Sequence, residues 1–487
     1  MRCLTLANKL CENGADITFI CRDHNGHLFE LIEASNHRLI RLPSSTSSTD
    51  GDSPHAKWLG ATQEKDADQT VEALKVLGHL DWLIVDHYAL DVKWETAMRS
   101  YAKCIMVIDD LADRKHDCDL LLDQNLHHDM EARYEKLVPL TCKKLLGPKY
   151  ALLRPEFREA RDKLKVRDGS VKRVFVFFGG SDAANETGKT LRAIKLLGKK
   201  NVAIDVIVGA TNPHQQDIAS LCAALPKARL YRQANNIAEL MARADLSIGA
   251  GGGTMWERCC LGLPAIVMSI ASNQQSGCEA AARSGGILYL GEAKSIGIKL
   301  LEQAFRITFA SPWLLASMSK VGVLLVDGQG DGRVTKQILK PTIMVRKAQL
   351  SDCQPIFNWR NNREIKQFSM GTNPIAFSEH AVWFRKALKN SNCQILIGES
   401  YGEAVGVLRF DREDKCAVIS VYLVPGNFGK GIGVELIEQG TSWIEYNWPK
   451  VELIEAAIKT SNTSSISAFS EAGFNKKSYI FVKQIRN

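Results

Sequence analysis

None of the chain's thirteen cysteines forms a CxxC pair or the spacing typical of a zinc site, which argues against a disulfide framework or a structural zinc module. Reduced, mostly buried thiols in a cytoplasmic protein are expected instead. His116, Cys118, Asp119, His127 and His128 are near neighbours in sequence but lack regular ligand spacing, so no metal is expected. No apolar run is long enough to span a bilayer, and the N-terminus lacks a signal-peptide profile, so no membrane partner is expected. Basic residues are scattered rather than massed, apart from small clusters in KRVFVF and LGKKN, and a formal net charge of +8 is modest for 487 residues. Nucleic acid is therefore not an expected partner. Low-complexity tails are also missing. What remains, 45% hydrophobic and 24% charged, is ordinary globular composition with room for two to four domains.

The richest stretch is GAGGGTMWERCCLGLPAIVMSIASNQ, Gly249 to Gln274. It sets a glycine run between the strand DLSIGA and a helix that starts near Thr254. In such a turn, backbone N–H groups and a helix N-terminus can close on a phosphate, here at Gly252, Gly253 and Thr254. Glu257 lies one turn into the helix, where a carboxylate can accept hydrogen bonds from a ribose. A turn of this kind also serves for tight packing alone, and the motif by itself leaves both readings open. Its continuation favours a ligand: Pro264 stops the helix, AIVMSI reads as a buried parallel strand, and Ser272-Asn273-Gln274 puts polar groups at the carboxyl end, the edge where open α/β sheets bind.

Three blocks follow one another. The first, residues 1–160, alternates helices and strands (a helix from Arg2 to Asn13, then DITFICR, DWLIVDHY, VKWETAMRSY and CIMVIDD), a parallel doubly wound pattern. The second, 161–338, runs from VKRVFVFFGGSDAANETGKTLRAIKLL through VAIDVIVG and ARLYRQA to the glycine motif and closing helices. Its first loop carries Ser181, Asp182 and Asn185 ahead of a helix beginning near Glu186. Helix capping accounts for Ser181 or Asp182 on its own, whereas a second glycine loop in the same sheet points to a shared ligand. Two such sheets with a cleft between them suggest a two-lobed nucleotide-sugar enzyme.

The third block, 342–487, is a separate α/β unit with strands IMVRKA, QILIGES, EAVGVLRFD, CAVISVYLV and VELIEAAI. The fourth strand leads into PGNFGKGIGVELIEQGTSWI, where Gly429, Gly431 and Gly433 open an amphipathic helix and several amides can face a pyrophosphate. This block resembles the GNAT acetyltransferases, whose acetyl-CoA loop has the form Gln/Arg-x-x-Gly-x-Gly after the fourth strand. Phe428 stands where that family usually has Gln or Arg. The later SNTSSISAFSEAGF matches the family's cofactor-side helix and following turn through Asn462, Ser465, Phe469 and Gly473-Phe474. The resemblance implies acetyl-CoA as cosubstrate, held at Val424, Gly429, Gly431, Gly433 and Asn462, with Tyr479 as the acid that protonates the leaving thiolate. A core-strand role is equally open for Tyr479. WRNNREIKQFSM and SEHAVWFRKAL resemble the subfamily that acetylates the 4-amino group of UDP-linked 4,6-dideoxy sugars. Trp359 and Phe368 read there as core residues, and Arg360, Asn361 and Arg363 as ligand-facing.

The first two blocks together resemble the UDP-2,4-diacetamido-2,4,6-trideoxy-β-L-altropyranose hydrolases of pseudaminic acid biosynthesis, which share the GT-B architecture. The matching segments are DWLIVDHYALDVKWE, VIDDLADRKHDCDLLLDQN, LLGPKYALLRPEF, FGGSDAAN and the glycine motif through Asn273. The fold expected is thus a GT-B-like pair of Rossmann-type domains followed by a GNAT α/β domain. By resemblance Asn185 and Glu257 hold UDP, while Tyr88 and Asn273 face the sugar and take part in catalysis. The family begins with a strand and a Gly-x-Gly-His-x-x-Arg-Cys loop whose histidine is the proposed base, and Met1-Arg2-Cys3 matches only its end. The expectation is a start placed too late or a truncated gene, with hydrolysis severely impaired. His24, His27 and His87 are weighed as substitutes and read as surface or structural histidines.

In the hydrolase reading, water attacks the anomeric carbon and UDP departs, and amides near Gly252, Gly253 and Thr254 stabilise the growing charge. In the acetyltransferase reading, the sugar amine attacks the thioester. The acetylated product of one reaction is the substrate of the other, so fusion raises the local concentration of the intermediate. Two alternatives remain: an acetyltransferase joined to a catalytically impaired sugar-nucleotide-binding lobe, and a GT-B glycosyltransferase.

Overall fold

The computed structural model describes residues 1–476 apart from 25, 45–54, 165, 200, 235, 341–342, 368–375, 401 and 430. Tyr479 and Phe368 lie outside the described residues. The chain divides into two compact units, Met1–Gln337 and Ile338–Asn487.

In the first unit, β1 (Thr18–Arg22) and β2 (Arg38–Leu42) form a parallel pair. A second, four-stranded parallel sheet has the order β3 (Leu80–Val85), β4 (Ala102–Ile108), β5 (Leu120–Asp123), β6 (Lys143–Leu146). The single doubly wound sheet expected for this block is therefore in two pieces, because β1 and β3 share no ladder hydrogen bonds. Met106, Leu121 and Leu122 are fully buried, the continuous apolar pattern of strands covered on both faces.

A six-stranded parallel sheet follows, built from β7 (Arg173–Phe177), β8 (Ala203–Val208), β9 (Ala228–Arg232), β10 (Leu246–Ala250), β11 (Ala265–Ser269) and β12 (Leu288–Glu292). Its order is β12-β11-β10-β7-β8-β9, so the direction of winding reverses between β7 and β10. Alternate side chains of β7 enter opposite cores: Val174 and Val176 pack with Ile248 and Met268, Phe175 with Val267 and Trp256. The helix Pro155–Asp162 joins the lobes, and Arg161 fastens it by donating to the carbonyls of Cys260 (2.7 Å), Val326 (2.9 Å) and Val323 (2.9 Å). Helix Gly330–Leu339 returns toward the first lobe, where Arg333 donates to the Lys149 carbonyl at 2.8 Å. The helices Ile298–Ala310 and Pro312–Leu325 are apolar, yet among the described residues no single helix is long and apolar enough to cross a membrane.

The second unit holds a five-stranded sheet, β13 (Met344–Lys347), β14 (Cys393–Ser400), β15 (Glu403–Glu413), β16 (Cys416–Leu423) and β17 (Leu453–Ala456), in sequential order. All neighbours are antiparallel except β16 and β17, which run parallel. Helix Ile432–Asn447 covers one face, with Leu436 over Gly398 of β14 and Gly406 of β15, and helix Phe377–Lys389 covers the other through Phe384.

Candidate functional site

The reversal between β7 and β10 is where open α/β sheets bind ligands, outside the carboxyl ends of the strands. Both glycine loops of the second lobe leave from that point. After β7 comes Phe178–Asn185, and after β10 the run Gly251–Gly253. These glycines are packing requirements as well as openings. A Cβ at Gly251 would lie far inside contact distance of Cys278 Sγ, and one at Gly249 would strike the Phe177 carbonyl and stand 2.5 Å from Arg258 Nη1. At Gly253 a Cβ would meet nothing within 4 Å, so that residue faces open space. The helix Thr254–Cys260 then begins without a side-chain cap, and the Met255 and Trp256 amides turn back to the Gly252 (2.8 Å) and Gly253 (3.1 Å) carbonyls.

Glu257, on that helix, is mostly buried, and burial pushes its carboxyl up to about 7; Arg154, 4.0 Å away, partly counters this. Asn273 is exposed in the short turn Ser272–Gln274 beyond β11. Asn185 has left-handed backbone (φ 57°), caps helix Glu186–Leu196 by accepting from Gly188 N (2.9 Å), and donates to Asp217 (2.8 Å). Asp182 accepts from the amides of Glu186 and Thr187, so capping is what the structure assigns to this loop's polar side chains, while Ser181 is exposed.

The first lobe presents a cluster of carboxylates at the carboxyl ends of its strands: Asp86 after β3, Asp109 and Asp110 after β4, and Asp123 closing β5. Tyr88 donates to Asp110 at 2.7 Å, and burial together with that carboxylate raises its hydroxyl well above the usual phenol range. Asn125 Nδ2 donates to the other Asp110 oxygen (3.0 Å), while its Oδ1 accepts from the Trp256 indole of the second lobe (2.9 Å). Burial would raise Asp86, but the Arg2 guanidinium outweighs it and holds the carboxyl low. Burial drives Asp123 up to about 7 and His127 down to about 4. His127 Nδ1 lies 3.0 Å from Ser276 Oγ, a further bond between the lobes. Of the other histidines, His24 is 3.2 Å from the Leu59 carbonyl, His27 stacks on Phe29, and His87 accepts from Ala89 N. Sequence reasoning missed Asp110, Asn125 and the interlobe role of His127. The signal was present as strand-terminal polar residues in VIDD and LLLDQN. A cleft of about 880 Å³ lined by Arg167, Glu239 and Arg243 lies at the opposite, amino-terminal edge of the six-stranded sheet, away from both loops.

In the second unit, β17 pairs with β16 only from Cys416 to Ile419, leaving Ser420–Leu423 without a strand on that side. The strands part there, and the loop after β16 begins at Val424. The Val424 amide donates to the Val405 carbonyl at 2.8 Å, and its own carbonyl accepts from Asn427. Gly429 (φ 75°) and Gly431 (φ 74°) occupy left-handed backbone that side chains disfavour. Gly431 precedes helix Ile432–Asn447, which has no side-chain cap, and Gly433 sits in its first turn beside Ala468. Asn462 caps helix Thr463–Glu471 by accepting from Ser465 N (3.1 Å). On the other side of the sheet, Trp359 packs into the core as expected, and the Arg360 and Arg409 guanidinium groups lie over the Trp383 ring at 5.6 and 5.2 Å. The Tyr422 hydroxyl and Asn361 Oδ1 are buried without a hydrogen-bond partner. Arg363 is exposed. Among the described residues, no three His, Cys, Asp or Glu side chains converge as metal ligands.

Residues 342–475 match the family model of the acetyltransferase (GNAT) domain, and residues 174–319 that of the glycosyltransferase family 28 C-terminal domain. The spore coat polysaccharide biosynthesis protein SpsG of Bacillus subtilis is 33% identical over 193 residues, covering 39% of this chain. The chain spans only 56% of that relative's length. The UDP-2,4-diacetamido-2,4,6-trideoxy-β-L-altropyranose hydrolase of Campylobacter jejuni is 27% identical over 195 residues, 40% of this chain and 68% of the hydrolase. Among solved structures, MurG of Acinetobacter baumannii is similar, at 14% identity over 69% of this chain and 95% of that one, with a TM-score of 0.49. The chain joins a GT-B-like pair of Rossmann-type lobes, homologous in part to SpsG and to that hydrolase, to a C-terminal GNAT acetyltransferase domain.

Proposed function

We propose that the chain is a bifunctional enzyme of pseudaminic acid biosynthesis. One unit hydrolyses UDP-2,4-diacetamido-2,4,6-trideoxy-β-L-altropyranose to UDP and free sugar, and the other N-acetylates the UDP-4-amino-4,6-dideoxy precursor from acetyl-CoA. The observation that carries the first half is the chain of contacts running from Tyr88 through Asp110 and Asn125 to Trp256, which ties a polar cluster in one lobe to the helix behind the glycine loop of the other.

In hydrolysis, the water oxygen bonds to the anomeric carbon as the carbon–oxygen bond to the diphosphate breaks. Charge develops on UDP, where amides of Gly252, Gly253 and Thr254 receive it without reorganising. Glu257 takes the ribose hydroxyls, Asn185 orders the adjoining loop, and Tyr88 and Asn273 face the sugar. The water's proton passes to the carboxylate set of Asp110 and Asp123. Asp123, at about 7, has the proton affinity suited to such a role near neutral pH.

In acetyl transfer, the amine nitrogen bonds to the thioester carbonyl and gives its proton to solvent water, the C–S bond breaks, and the CoA thiolate takes up a proton, for which Tyr479 is the proposed donor. Acetyl-CoA lies along the unpaired edge of β16 by Val424, with its pyrophosphate on the amides of Gly429, Gly431 and Gly433 and Asn462 beside it. The sugar amine approaches from the side of Arg360, Asn361 and Tyr422. The cytoplasm, which supplies both substrates, is the compartment in this reading, in keeping with thirteen free cysteines.

The test is mass spectrometry of the diacetamido UDP-sugar incubated with this chain. Release of UDP and free sugar, lost on Tyr88→Phe and Asp110→Asn substitution, is expected. A second reading, an acetyltransferase joined to a lobe pair that binds but does not hydrolyse, is favoured by the engaged positions of His24, His27 and His87. Tight UDP binding with no UDP release would select it.

A further inference from the structure

Arg258 follows Glu257 on the helix behind the glycine loop and is 1% exposed. Its Nη2 donates to the Ala250 carbonyl at 2.5 Å, and Nε and Nη1 are buried with no hydrogen-bond partner. Among the described residues no carboxylate forms an ion pair with it. Its surroundings are the thiols of Cys259 and Cys278 and the backbone of Gly249 and Ala250, with the Glu257 carboxyl acting on it only at longer range. Burial lowers its proton affinity to about 10, so it remains a cation at neutral pH.

Such a charge is costly to hold in a protein interior, where cations are almost always paired. The site also excludes a smaller explanation, that the guanidinium merely clasps the loop, because one donor suffices for the Ala250 carbonyl and the rest of the group is left unanswered. Gly249 has room for Nη1 only because it lacks a Cβ. The guanidinium thus lies directly under the end of β10, from which the amides of Gly251–Gly253 continue.

We propose that Arg258 is a buried counter-charge for the diphosphate of the bound nucleotide, acting through the glycine loop rather than by touching the ligand; this rests on the UDP-sugar reading of that loop. In surroundings of low dielectric, a fixed cation beneath the loop attracts a dianion above it with little screening by salt. It is a positioning residue, and its effect falls on the phosphates and not on the nucleoside.

The experiment is calorimetric titration of the full chain with UDP and with uridine, for the wild type and for Arg258→Gln, Arg258→Met and Arg258→Lys. Gln keeps a donor for Ala250 and removes the charge, and Lys keeps the charge. The expected result is about a 10-fold loss of UDP affinity in the Gln and Met variants, with uridine affinity unchanged and UDP binding largely retained in the Lys variant. If Met fails to fold, Gln carries the comparison. Equal losses for UDP and uridine, or no loss for either, would overturn the inference while leaving the UDP site intact. A wild type that binds neither ligand overturns the UDP reading and this inference with it.

Discussion

The Trp256 indole donates to Asn125 Oδ1 across the two lobes at 2.9 Å, and the same asparagine donates to the carboxylate that accepts Tyr88. Trp256 is fully buried beside the glycine loop, so the position of Tyr88 is set partly from the opposite lobe. Replacing Asn125 by alanine orphans a buried indole N–H, at a cost of about 1–3 kcal/mol. The Asn125→Ala variant should melt a few degrees lower and lose UDP-sugar turnover by a larger factor than UDP affinity. Thermal melts beside steady-state kinetics check this; an unchanged KM-to-kcat balance would remove Asn125 from the site.

Gly251 is excluded from carrying a side chain by Cys278 Sγ. Gly251→Ala should cost about 1–3 kcal/mol through overpacking and displace the loop enough to weaken UDP binding at least 10-fold. The double variant Gly251→Ala, Cys278→Ala removes the sulfur and should recover much of the melting temperature. Calorimetry on both separates the clash from any other effect of the methyl group.

The carboxyl of Glu257, held up to about 7 by burial, is mostly protonated at pH 6 and ionised at pH 8. Ribose hydroxyls are better accepted by the anion, so uridine affinity should rise between those pH values. Uridine is the right probe because it carries no group that titrates in this range. In Glu257→Gln the slope should vanish. Folding has the opposite sign: the unfolded chain ionises this residue first, near 4.5, so its contribution to stability falls as pH rises from there to about 7. Urea melts across that window should show the smaller pH dependence in the Gln variant.

Gly431 takes φ 74° with nothing within 4 Å of where a Cβ would lie, so its constraint is backbone conformation alone. Alanine there costs about 1–2 kcal/mol in left-handed backbone and relaxes the loop ahead of Ile432. Acetyl transfer by Gly431→Ala should fall with a raised KM for acetyl-CoA, while UDP affinity stays unchanged. Paired assays on one preparation check both halves.

Much of the fold was legible because buried parallel strands are continuous apolar runs: VFVFF, VAIDVIV and AIVMSI each became a strand of the six-stranded sheet. The strands LLLD, KKLL and LYLGE were less so, being four or five residues long with no alternation to mark them. The glycine motif gave the loop at the switch point, since spacing survives without tertiary information. Asn125 and Arg258 did not stand out, because a short polar residue after a strand and an arginine on a helix look ordinary until another lobe or a buried backbone is placed against them. The Asn185 side chain shows the reverse: it is occupied by Gly188 and Asp217 in a capping role that the sequence had also allowed for Ser181 and Asp182.

The decisive measurement is mass spectrometry of one reaction containing this chain, UDP-4-amino-4,6-dideoxy-N-acetyl-altrosamine and acetyl-CoA, sampled over time. Bifunctionality predicts a transient acetylated UDP-sugar, 42 mass units heavier by the chemistry of adding an acetyl group (about the mass of C2H2O), followed by UDP and free diacetamido sugar. Failure of any acetylated product to form, in a preparation that still binds CoA, would contradict it.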